Sequence, residues 1–85
     1  MYSIWISEKA KKQLEKLPKN INEIILNKIY SIREYPFHYL KKLEGSKLWR
    51  LRIMDYRVIV DVIVTESKII VLTVDKRGRV YYKQI

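Results

Sequence analysis

Arg50, Arg52 and Arg57 are the residues of this sequence whose types and spacing point most directly to chemistry. Leu48–Ile53 reads Leu-Trp-Arg-Leu-Arg-Ile, and Tyr56–Val64 reads Tyr-Arg-Val-Ile-Val-Asp-Val-Ile-Val. Both segments have strand character, and only Met54-Asp55 separates them. A hairpin turning on that pair sets Arg52 opposite Arg57 and puts Arg50 on the same face, two residues along. Like charges directly opposed across strands disfavour pairing. An anion held between them removes the conflict, and the planar fork of arginine donors suits phosphate oxygens. The competing assignment is an ordinary solvated face, with some arginines paired to Asp61 or Asp75.

The charge distribution points the same way. The 85 residues carry 18 Lys+Arg against 9 Asp+Glu, a formal net charge of +9. Lys41, Lys42, Lys47, Arg50, Arg52 and Arg57 against Glu44 and Asp55 give residues 41–57 a net +4. Lys76, Arg77, Arg79 and Lys83, with no acid, give residues 76–85 another +4. Positive charge clustered beside aromatics suits a polyanion, first of all nucleic acid. Lys42, Lys47, Lys76 and Arg79 are the expected RNA-binding cations around the arginine face, and a merely basic soluble surface is the alternative.

Such a face can cleave RNA as well as bind it. The substrate's own 2′-hydroxyl attacks the neighbouring phosphorus, while the protein fixes that geometry, stabilises charge on the phosphoryl oxygens and moves two protons. Arg50, Arg52, Arg57 and Arg77 supply positive charge. Arginine stays protonated in proteins, so proton transfer falls to another group. Tyr81 is the candidate, as a proton carrier or as a stacking ring. No cysteine is present and His38 is the single histidine, so neither a thiolate nor a histidine-rich metal site is expected, and no cofactor is implied.

The elements that must position these residues follow from pattern and punctuation. Tyr2–Ile6 is expected to be a short strand. Ser7 caps a helix whose apolar face is Ala10, Leu14 and Leu17. Pro18 ends it or begins the connection. Asn20 is expected to cap a second helix, with Glu23 at the capping-box position. Ile21, Ile24, Ile25, Ile29 and Ile32 form its broad stripe, and Pro36 stops it. Phe37–Lys47 reads as a loop turning at Gly45. After the hairpin come a turn at Thr65-Glu66-Ser67 and a last strand at Lys68–Asp75. Strand parity assigns Trp49, Leu51, Ile53, Val58, Val60, Val62 and Val64 to the core, continued by Ile70, Leu72 and Val74. The result is a single α+β domain over residues 1–85. It has a mainly antiparallel four-stranded sheet in the order βααβββ, with a possible short C-terminal segment and an N-terminal helical hairpin on one face. No apolar run reaches membrane-spanning length, and a cytoplasmic setting is expected.

Three motifs in this order resemble a known family. Lys42-Leu43-Glu44-Gly45, then Leu48-Trp49-Arg50-Leu51-Arg52-Ile53, then Asp55-Tyr56-Arg57-Val58-Ile59-Val60 are similar to the core signature of the RelE/ParE toxin superfamily. Val74-Asp75-Lys76-Arg77-Gly78-Arg79-Val80-Tyr81 is similar to its closing strand. The resemblance implies a toxin of a type II toxin–antitoxin pair. In the RelE-like branch it implies a metal-independent endoribonuclease that cuts messenger RNA in the ribosomal A site. By position it assigns Arg50, Arg52, Arg57, Arg77 and Tyr81 to orienting the 2′-hydroxyl, stabilising the transition state and protonating the leaving oxygen. The implied partners are the ribosome, mRNA and an acidic RelB-like antitoxin, and a toxin–antitoxin heterotetramer is among the assemblies that the resemblance allows. ParE-like members instead inhibit DNA gyrase, and a small non-catalytic RNA-binding module is a third possibility.

Overall fold

In the computed structural model, which describes residues 1–76, the chain runs β1 (Ser3–Ile6), α1 (Glu8–Glu15), α2 (Lys19–Ser31), a 3₁₀ turn (Pro36–His38), β2 (Lys41–Lys42), β3 (Trp49–Ile53), β4 (Tyr56–Ile63), a second 3₁₀ turn (Val64–Glu66) and β5 (Lys68–Lys76). The strands form one five-stranded sheet in the order β1-β5-β4-β3-β2. Among the described residues β1 and β5 pair in parallel, and the other neighbouring strands pair antiparallel. The expected α+β architecture is present with one strand more. β2, inside the expected loop, pairs Lys41 with Arg50 and Lys42 with Trp49. Gly45 turns the connection at φ 71°, a value that suits glycine.

Ser7 caps α1, accepting the Ala10 N–H on its Oγ at 3.1 Å. The start of α2 differs from expectation. Its cap is Pro18, which bonds through no side chain, and Asn20 lies inside the helix. Asn22 takes over the local work, donating its Nδ2 to the Leu14 carbonyl at 2.8 Å. That bond ties the first turn of α2 to the last turn of α1 and favours the earlier start. Ile25, Ile29 and Ile32 are buried, whereas Ile24 is 44% exposed, so the stripe of α2 is only partly internal.

The core lies between the helices and one sheet face. Ala10, Leu14, Ile25, Ile29 and Ile32 pack with Leu51, Ile53, Val58, Val60, Ile69, Val71 and Val74. The parity expected on β5 therefore holds for Val74 and fails for Ile70 and Leu72, whose places facing the helices are taken by Ile69 and Val71. The cause is a bulge. Ile59 stands opposite Thr73, but Val60 stands opposite Val71, leaving Leu72 as the extra residue. Ser7 anchors this point twice, since its N–H donates to the Val71 carbonyl and its Oγ donates to the Leu72 carbonyl, each at 2.9 Å. Val64 also departs from the core, because it leaves β4 for the 3₁₀ turn and is 59% exposed.

The hairpin turn carries local strain. Met54 has φ 53° at the first turn position, where hairpins favour glycine. The left-handed region disfavours a side-chain-bearing residue by roughly 1–2 kcal/mol, partly offset by the greater unfolded freedom of glycine. Met54→Gly is expected to stabilise the domain by about 0.5–1 kcal/mol and to raise Tm by roughly 4 °C. A thermal melt reads the result, and an unchanged or lower Tm contradicts a strained Met54.

Candidate nucleic-acid interface

The β3–β4 register sets Arg52 directly opposite Arg57, as the hairpin spacing predicts. Arg57 is in turn opposite Asp75 on β5, and the next row of the same face is Lys41, Arg50, Ile59 and Thr73. Ideal sheet spacing puts the Cβ atoms of Arg52 and Arg57 about 5 Å apart and those of Arg50 and Arg57 about 7–8 Å apart. Arg52 is exposed, and Arg50 and Arg57 are half-buried. Long guanidinium arms rooted this closely can converge on one phosphate group. Among the described residues, none of the three makes an ion pair with a carboxylate.

Both carboxylates that share this face are engaged elsewhere. Asp61 lies 4.0 Å from Lys47 Nζ. Asp75 accepts from Gln13 Nε2 at 3.1 Å. Gln13 is present there for a backbone reason. β1 ends level with Val71, so the far end of β5 lacks a strand on that side. α1 lies alongside, and Gln13 Oε1 accepts the Val74 N–H at 2.7 Å. One amide thus accepts an edge N–H of β5 and donates to the Asp75 carboxylate, which makes no ion pair with Arg57 among the described residues.

The lysines divide between faces. Lys47 reaches the arginine face through Asp61. Lys42 does not lie there, because it shares the face of Trp49 and its Nζ sits 5.1 Å from that ring's centroid. Lys76, opposite Tyr56, likewise falls on the other parity. Arg77, Arg79 and Tyr81 lie outside the described residues. The cation that strand parity adds to the arginine face is Lys41, which a sequence reading misses because two lysines before a turn carry no strand signal. A second residue that a sequence reading misses is Trp5. It lies on the open face, level with Ile70, and is 54% exposed. Its indole N–H donates to Ser3 Oγ at 3.0 Å, and Lys68 Nζ lies 4.7 Å from its ring centroid. The alternation of Tyr2–Ile6 held that signal, since Ile4 and Ile6 pack on the core and leave Trp5 on the other side.

This arrangement of strands and helices is matched by known proteins. A sequence model described as ParE toxin of type II toxin-antitoxin system, parDE, matches residues 4–81. The chain belongs to the RelE/ParE toxin superfamily. The archaeal RelE–RelB complex from Pyrococcus horikoshii contains a chain 32% identical, with a TM-score of 0.78 over 92% of this chain and 97% of that one. The intact Escherichia coli RelBE toxin–antitoxin complex gives 25% identity and a TM-score of 0.78 over 93% of this chain and 100% of that one. The RelBE2 toxin–antitoxin complex of Mycobacterium tuberculosis, at 22% identity, shares the fold with a TM-score of 0.81 over 89% and 98% of the two chains. Among curated proteins no relative matches. The protein is thus a RelE-like toxin of a type II toxin–antitoxin system. No helix among the described residues of the toxin is long and apolar enough to cross a membrane.

Proposed function

We propose that this toxin is an endoribonuclease that cleaves mRNA, in the ribosomal A site, by attack of the RNA 2′-hydroxyl on the adjacent phosphorus. The observation that carries this reading is the Arg52–Arg57 opposition on an open face, with Arg50 beside it and the nearby carboxylates engaged elsewhere. Charge accumulates on the phosphoryl oxygens in the transition state, and fixed guanidinium groups stabilise it there more than in the ground state. Arg50, Arg52 and Arg57 supply that field. By sequence position Arg77 adds to it, and Tyr81 is assigned proton transfer to the leaving oxygen. The relatives crystallised with RelB support an acidic RelB-like antitoxin as the cytoplasmic partner, its carboxylates complementing the +9 charge.

The parDE description of the matching family favours a second reading, inhibition of DNA gyrase without RNA cleavage. Pulse labelling after induction separates the two. Methionine incorporation is expected to fall within minutes while thymidine incorporation persists. Early loss of DNA synthesis and plasmid supercoiling, with translation intact, supports the gyrase target instead.

Gln13 offers a test of the unneutralised arginine. Gln13→Ala strips the Val74 N–H of its partner and releases Asp75 to pair with Arg57 across the strands. Stability is expected to drop by about 1 kcal/mol. Cleavage is expected to fall roughly fivefold, the worth of a partly exposed ion pair. Adding Asp75→Asn should restore cleavage without restoring stability. Recovery of neither, in melts and cleavage assays run side by side, contradicts this role.

A further inference from the structure

Residues 28–42 carry a second surface that neither the core nor the arginine face requires. Pro36 and Leu40 are buried and anchor this segment, while Tyr35 just before Pro36, and Phe37 and Tyr39 between the two anchors, point outward, 66, 45 and 52% exposed. Tyr30 on α2 is 42% exposed. Cations lie over the rings. Lys28 Nζ is 5.1 Å from the Tyr39 centroid, Arg33 Cζ is 5.5 Å from that of Tyr30, and Lys42 Nζ is 5.1 Å from that of Trp49. Phe37 joins Trp49 to the group at a centroid distance of 4.9 Å, and His38 lies between Tyr35 and Tyr39 at 5.8 and 6.4 Å. Lys28, Arg33, Lys41 and Lys42 face a single acid, Glu34, within the segment.

Rings left in solvent and rimmed by cations suit a ligand with flat π-faces and negative charge. Unpaired RNA is such a ligand, with bases that stack on aromatics and phosphates that meet lysine and arginine. The patch is also continuous with the arginine face. Among the described residues β2 is one of the two edge strands, and its two lysines divide between the two surfaces. Lys41 pairs with Arg50 on the open face, and Lys42 pairs with Trp49 on the other. A strand leaving Arg50 over this edge passes from Lys41 to Lys42 and reaches Phe37 and Tyr39.

We infer that this aromatic–cation belt is a second RNA-docking surface, taking unpaired bases and adjoining phosphates of the strand that leaves the arginine face over β2. It rests on the RNA reading of that face and extends it to a segment away from the reacting phosphate. Tyrosine rings supply the stacking area, and Lys28, Arg33 and Lys42 hold phosphates beside it.

Fluorescence anisotropy tests this with 5′-fluorescein RNA that is 2′-O-methylated throughout, so that binding is read without cleavage. Two lengths are used, about 4 and about 16 nucleotides, spanning the range of single-strand sites. Tyr35→Ala/Tyr39→Ala is expected to weaken the longer RNA at least about tenfold and leave the shorter one unchanged. Tyr35→Phe/Tyr39→Phe should bind both like the parent, and all three proteins should melt alike because both side chains are exposed. Equal affinity of the alanine variant and the parent for the longer RNA overturns the inference. So does a loss confined to antitoxin affinity, which assigns the belt to a protein partner. If message cleavage is absent but the length-dependent loss is found, the belt stands and the endonuclease reading fails.

Discussion

Arg57→Ala is expected to lower the rate of mRNA cleavage about a hundredfold, the loss of one preorganised interaction with transition-state charge, on the order of 3 kcal/mol. Affinity for the RNA should fall far less, since the added phosphoryl charge that Arg57 meets develops only in the transition state, and Arg50 and Arg52 remain to hold the ground-state phosphate. Stability should hold or rise. Arg57 stands opposite Arg52, and removing one of two opposed like charges relieves the strand pair. A residue whose loss harms activity while sparing or helping the fold is serving a ligand. Single-turnover cleavage with a melt on the same preparation measures both effects. A Tm well below that of the parent would mean that Arg57 holds the sheet together. Cleavage within a fewfold of normal would remove it from the reaction.

Ile25→Ala has the largest expected effect on the fold itself. Ile25 is fully buried in the cluster that joins α2 to the back of the sheet. Truncating such a side chain typically costs about 2–5 kcal/mol, through lost transfer energy and the cavity left behind. That is a large fraction of the 5–15 kcal/mol that holds a small domain, and Tm should drop by more than about 10 °C. Its neighbour gives the control. Ile24 is 44% exposed, and Ile24→Ala should fall within about 1 kcal/mol of the parent. Antitoxin binding should recover much of the Ile25→Ala loss, because a partner selective for the folded state stabilises it by mass action. Equal melts for the two alanine variants would contradict the packing of α2 described above.

The parts of the site that depend on local spacing were legible in the sequence. Two residues between two strands leave little freedom of register, so the Arg52–Arg57 opposition could be read from parity alone. What escaped depends on contacts between distant segments. Lys68–Lys76 contains Ile69, Ile70, Val71 and Leu72 in unbroken succession, and such a run supports either parity. The choice is made by Ser7, sixty-five positions from Leu72 in sequence, through its bond to that carbonyl. The strand at Lys41–Lys42 is too short and too polar to announce itself, and its pairing with β3 alone defines it. The parallel docking of β1 on β5 and the Gln13–Asp75 contact are tertiary for the same reason. Asn20 carried a capping signal that the Asn22–Leu14 bond between the helices overrode.

Primer extension on a message translated by purified ribosomes, with the chemistry of the new ends determined, decides whether the toxin cuts RNA through attack of the 2′-hydroxyl. The expected result is cleavage within the translated region that depends on the toxin. It leaves a 5′-hydroxyl on one fragment and a 2′,3′-cyclic phosphate on the other, and disappears when the scissile nucleotide lacks its 2′-hydroxyl. The Arg52→Ala/Arg57→Ala variant should leave the message intact. Undiminished cleavage by that variant, or an intact message with wild-type toxin that blocks gyrase supercoiling in a parallel assay, would contradict the account.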